Sequence, residues 1–117
     1  MAIQNSLVDS ANTLVFESNG ANAITSMIIC NINPFDELNP VDNICTITLY
    51  VIASAEKDVS PTFGVSAKHT IVNSLPITAG ETLSLDQEKL ILSNGDIIVA
   101  VSDIADQLAI TISTLAV

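Results

Sequence analysis

His69 is the single histidine of a 117-residue chain, and it stands in the strand-like run AKHTIVNSL. Metal-binding β-barrels hold their ion with histidines from two strands, so one imidazole cannot build such a site. His69 reads as a partly exposed strand histidine. Ser54 and Lys57 have the S-x-x-K spacing of Ser–Lys nucleophiles. The K-T-G and S-D-N elements of that chemistry are missing, and the pair falls in a loop-like stretch instead of on a helix. Ser66, in GVSAK, lacks the G-x-S-x-G elbow. No catalytic residue is assigned, and the chain reads as a non-enzyme.

Acidic groups offer a different chemistry. Asp36, Glu37 and Asp42, with Asn39 and Asn43 beside them, present oxygens of the kind calcium takes. Their spacing is not that of an EF-hand and two prolines interrupt it, so a solvated acidic loop is predicted. Asp86, Glu88 and Asp96 flank strand-like runs as turn-forming, edge-protecting charges. Cys30 and Cys45 lie within apolar strand-like runs and read as buried thiols. A disulfide between adjacent strands stays open, because spacing cannot decide it. There is no C-x-x-C pair and no Gly-rich phosphate loop. Phe16, Phe35, Tyr50 and Phe63 are too few for a carbohydrate platform. No cofactor and no metal are expected.

The elements that would position these residues are strands. Along ITSMIICNI, Ile24, Ser26, Ile28, Cys30 and Ile32 alternate with Thr25, Met27, Ile29 and Asn31. Along ICTITLYVIA, Cys45, Ile47, Leu49 and Val51 share one side. In QLAITISTLAV, Leu108, Ile110 and Ile112 point inward against Ala109, Thr111 and Ser113. Period-2 alternation with β-branched residues describes half-buried strands. At most a short turn is predicted near Asp103 to Asp106. Asn19-Gly20 and Asn94-Gly95 are hairpin signals, the second pairing Leu92 with Ile97 and Leu90 with Val99. Ala79-Gly80 marks a further turn, and two long loops are predicted, Asn33 to Asn43 and Ala53 to Gly64. About eight strands follow: an all-β, single-domain antiparallel β-sandwich, jelly-roll-like, over residues 11–117. Residues 1–10 are expected as a short N-terminal arm that orders on a neighbour.

Composition narrows the role. Hydrophobic residues make up 49% and charged residues 14%, with thirteen acids against three lysines and a net charge of −10. Such a chain repels phosphate backbones and anionic membranes, so no nucleic acid and no membrane are expected as partners. No apolar run approaches the roughly 18 residues of a membrane span, and the start has no basic n-region or h-region of a secretory signal. Apolar side chains exceed what one small interior hides easily, which predicts a subunit covered by neighbours.

The run LPITAGETLSLDQEKLILSNGDIIVAVSD, followed by AITISTLAV, resembles small β-sandwich virion proteins of tailed bacteriophages. Pro76, Ala79, Gly80, Leu83, Leu85, Leu90, Gly95, Asp96, Ile98 and Ala100 carry the likeness, with SMIICNIN and TITLYVI upstream; it covers the chain from about Ala23 onward. The resemblance implies a virion structural protein on the outer face of the particle, made in the host cytoplasm. Its first form is a capsid decoration (cement) protein, a homo-oligomer with a trimer favoured, bridging major capsid subunits. In it the two long loops would point outward or touch neighbours. A neck, tail or baseplate component with the same sandwich is the alternative. From another class, a calcium- or sugar-binding jelly-roll module would use the loop around Asp36 and Asp42.

Overall fold

The computed structural model describes residues 2–39, 41–85 and 90–117. Among the described residues nine strands run in chain order: β1 (Ala2–Val8), β2 (Thr13–Glu17), β3 (Asn22–Asn31), β4 (Cys45–Ile52), β5 (Thr70–Ile77), β6 (Thr82–Leu85), β7 (Leu90–Leu92), β8 (Ile97–Ser102) and β9 (Leu108–Ala116). A 3-10 turn, Ala67–His69, precedes β5. One sheet has the order β1-β9-β3-β6, with β7 also paired to β3; the other has the order β2-β8-β4-β5. Every strand pair is antiparallel.

The pairs nest. β4 pairs β5, β3 pairs β6, β2 pairs β8 and β1 pairs β9. This is one long hairpin folded over into two packed sheets, the jelly roll expected from the pattern. The interior is aliphatic. Ile24, Met27 and Ile29 of β3 meet Ile47 and Leu49 of β4, Ile98 and Ala100 of β8, and Leu108, Ile110 and Ile112 of β9. At roughly 25 cal/mol per Å² of apolar surface removed from water, this layer is the main favourable term in folding.

Several local expectations change in the folded chain. The two Asn-Gly turns close no hairpins: β2 and β3 lie in different sheets, as do β7 and β8. A type I′ turn needs positive φ at both central residues. Here only the glycines are left-handed, at φ 76° for Gly20 and 87° for Gly95. Both turns instead carry the chain from one sheet to the other, and they meet. The Gly20 N–H donates to the Asn94 side-chain oxygen at 2.8 Å, the Gly95 N–H to the Ser18 carbonyl at 2.8 Å, and the Ser18 N–H to the Asp96 carbonyl at 2.9 Å. The pairing expected between 90–92 and 97–99 is replaced by Leu92 against Asn22 and Ile97 against Ile52.

In β3 the register shifts between Ile24 and Ser26, a bulge at Thr25. An extra residue flips the alternation. Ile24 therefore shares the buried face with Met27, Ile29 and Asn31, while Ser26, Ile28 and Cys30 turn outward. The N-terminal residues also differ from the expected arm: Ala2–Val8 pair residue for residue with β9, from Ala2 opposite Thr114 to Val8 opposite Leu108. The alternation in β9 is as read, with Leu108, Ile110 and Ile112 buried.

The loop that follows β4, expected to point outward or touch neighbours, keeps most of its residues exposed but turns its end inward. It folds back over the outer face of its own sheet, where Phe63 and Val65 pack with Tyr50 on a second small core of Ile52, Ile97 and Val99. Gly64 makes that path possible. It has φ 78°, and a Cβ there would lie 2.3 Å from the Glu56 carbonyl oxygen. The Asn12 amide ties the loop to the start of β2 by donating to the Pro61 carbonyl at 3.1 Å.

Candidate functional site

The residues singled out for chemistry form no single cluster: Ser66 meets His69, and Ser54 meets Asp96 elsewhere. Ser54 and Lys57 serve the loop. The Ser54 N–H donates to one Asp96 carboxylate oxygen at 2.9 Å, the Ser93 N–H donates to the other at 2.8 Å, and Lys57 is ion-paired with Glu17 at 2.8 Å. Asp96 is thus a turn-forming acid. Asp36 accepts the Leu38 N–H at 2.9 Å, and Asp42 donates its own N–H to the Asn39 carbonyl at 3.0 Å. Both acids therefore belong to the turns of their own loop. Among the described residues no group of three or more His, Cys, Asp or Glu side chains gathers as a metal site would require. Asp86 and Glu88 lie outside the described residues.

His69 is corrected from a partly exposed strand residue to a buried one, 8% exposed, at the end of the 3-10 turn. Its Nδ1 accepts the Ser66 N–H at 3.1 Å, so the neutral ring carries its proton on Nε2, an assignment made from bonding geometry. Nε2 lies 3.5 Å from Glu56 Oε2 with no well-formed hydrogen bond, and Lys68 is ion-paired with the same carboxylate. The Lys68 hydrogen bond, followed by the proximity of His69, holds the Glu56 carboxyl below the usual carboxylate range. The Ser66 hydroxyl stands 3.3 Å from His69 Nδ1, the nitrogen that already accepts the Ser66 N–H; the group pins the covering loop to the 3-10 turn.

Cys45 and Cys30 are both free thiols. They point away from each other, Cys45 into the core and Cys30 half-buried on the outer side of β3. Burial first, and the Asp103 charge second, push the Cys45 thiol upward. A low-pKa nucleophilic cysteine needs the opposite environment. One apolar recess of about 340 Å³ opens between the sheets, lined by Met27, Ile71, Val72, Leu85 and Leu90. None of those side chains titrates, so it offers apolar contact and no acid–base chemistry.

What the fold does assemble is a surface. On the outer side of the larger sheet, the register aligns Ile3, Ser113 and Ser26 in one row and Asn5, Thr111, Ile28 and Ser84 in the next. Leu7, Ala109, Cys30 and Thr82 form a third row, and Leu115, Ala23 and Ile91 a fourth. No side chain in these rows is charged, in a chain of net charge −10. Ile3 is 65% exposed and Ile91 72%. The opposite outer face is partly covered by the chain's own loop; among the described residues nothing covers this one.

Sequence reading missed two structural features. The bare face was hidden by the Thr25 bulge, without which Ile24 and Ile28 would seem to share a side. Asn31, fully buried, donates to the carbonyls of Asn43 at 2.8 Å and Ile77 at 2.9 Å and accepts the Asn33 N–H at 3.1 Å. It anchors both ends of the acidic loop, whose Phe35, Leu38 and Val41 are exposed. An asparagine closing an apolar strand was the available signal. Comparison of the chain with protein-family models, with curated proteins and with solved structures finds no match.

Proposed function

We propose that this chain is a structural subunit of a tailed-bacteriophage virion, a capsid decoration (cement) protein that binds copies of itself and major capsid subunits on the outer side of the head. The observation that carries the reading is the asymmetry of the two outer faces. One is partly covered by the chain's own Phe63 and Val65. The other presents uncharged rows with Ile3, Leu7, Ile28, Ile91 and Leu115 exposed. A surface kept free of charge in so acidic a chain suits contact with protein neighbours and excludes phosphate. The mechanism is mechanical: each subunit adds contact area between shell neighbours, and many small apolar contacts sum over a shell.

The test is to purify particles from cells expressing the encoding genome and count the chain per particle, with wild type beside an Ile28→Lys, Ile91→Lys variant. The reading expects hundreds of copies for wild type and loss of the variant from particles while its fold persists. A few tens of copies would move the subunit to the neck, tail or baseplate. Absence from particles, or full incorporation of the charged variant, overturns the assignment.

A further inference from the structure

The two sheets end in four strand edges, and three carry features that discourage a further strand. β2 is interrupted by a bulge between Leu14 and Phe16 and ends on Glu17. β5 contains Pro76 and meets β4 through two register shifts. β6 and β7 have four and three residues. β1 is different. Its seven residues, AIQNSLV, include no charge, proline or glycine, and its register against β9 is unbroken. Among the described residues no strand pairs with its other side.

The order of side chains along β1 also reads alike from both ends. About Asn5, Ser6 mirrors Gln4, Leu7 mirrors Ile3, and Val8 mirrors Ala2. We propose that β1 pairs antiparallel with β1 of a second copy of this chain, about a two-fold axis through Asn5, joining two five-stranded sheets edge to edge. Neighbours across an antiparallel ladder must point to the same face, so the pairing can slip only in steps of two residues. In the centred register Ile3 meets Leu7 twice on the bare outer face, on either side of Asn5 facing Asn5. Gln4 meets Ser6 and Ala2 meets Val8 on the inner side. A slip either way sets Ile3 or Leu7 against Asn5. The uncharged strand keeps the acids of both subunits out of the contact, and a two-fold contact closes instead of propagating. The inference deepens the assembly reading, resting on its premise that copies cover one another, but it concerns an edge where that reading concerns a face.

The experiment is sedimentation equilibrium of the full chain, with variants at position 5. Asn5 is exposed and its side-chain oxygen accepts the Thr111 hydroxyl, so Asn5→Lys leaves the core untouched; the thermal midpoint confirms folding. Wild type is expected at twice the 12.3 kDa chain mass. Asn5→Lys sets like charges opposite each other and weakens the dimer by roughly tenfold. An equimolar mixture of Asn5→Lys and Asn5→Glu chains restores it. In a Cys30→Ser background, Asn5→Cys forms an intermolecular disulfide, whereas Ile3→Cys does not. The two copies of residue 3 would sit four residues apart along the ladder, about 13 Å. A wild type monomeric at about 100 μM, a dimer indifferent to charge at position 5, or equal cross-linking at positions 3 and 5 overturns the pairing. A monomer that still joins particles ends this proposal and leaves the shell reading intact. A dimer absent from particles does the reverse.

Discussion

Gly64 and Gly20 allow the packing of the covering loop to be weighed against backbone strain alone. Their φ angles are nearly identical, at 78° and 76°, but their surroundings are not. A Cβ on Gly20 meets nothing within 4 Å; one on Gly64 would lie 2.3 Å from the Glu56 carbonyl oxygen, 3.1 Å from the Asp58 nitrogen and 3.2 Å from the Lys57 Cα. Gly20→Ala should therefore lose only the left-handed penalty, roughly 1–2 kcal/mol. Gly64→Ala adds an overpacking cost of about 1–3 kcal/mol, because the obstructing atoms are backbone. For a chain of this length about 1 kcal/mol corresponds to some 4 °C of thermal midpoint. The expected losses are about 4–8 °C for Gly20→Ala and about 8–20 °C for Gly64→Ala in calorimetry. The chain has one tyrosine and no tryptophan. Tyr50 packs under the loop, so acrylamide quenching of its fluorescence should rise in Gly64→Ala and stay unchanged in Gly20→Ala. Equal midpoints for the two variants, or unchanged quenching in Gly64→Ala, would refute the close approach of loop to turn.

Two further outcomes follow from the thiols and the loop clamp. Under native conditions a maleimide should label Cys30 and spare Cys45, which reacts only after denaturation; mass spectrometry of the labelled peptides decides, and equal native labelling would contradict the burial of β4. Glu56 is held below its ordinary pKa, so its contribution is present above the unfolded carboxylate range and lost as pH falls through the lowered folded value. Because the carboxylate is exposed, the effect should be small: Glu56→Gln should lower the thermal midpoint slightly near neutrality, and the two curves should converge in acid.

The amount of this fold that can be read from the chain depends on how local its cause is. β4 and β9 are legible because Ile47 and Leu49, and Leu108, Ile110 and Ile112, alternate without interruption. The Asn-Gly turns were visible as turns but not as sheet crossings, since nothing within four residues records which sheet the next strand joins. The bulge at Thr25 depends on β9 across the ladder, and the membership of β1 depends on the same distant strand. The candidate surface was illegible for that reason: its rows take residues from β1, β3, β6, β7 and β9, and only the register assembles them. His69 misled because its neighbours favour strands, whereas the Ser66 N–H and Glu56 hold it in a turn.

The position of β9 between β1 and β3 has a consequence for synthesis. Both of those strands leave the ribosome long before their shared partner, and at about 5–20 residues per second they wait several seconds for it. During that interval β3 can close only on the short β6 and β7, and β1 lacks its partner strand. The dense negative charge of the surrounding segments then keeps nascent copies apart until residues 108–116 arrive to zip the sheet shut.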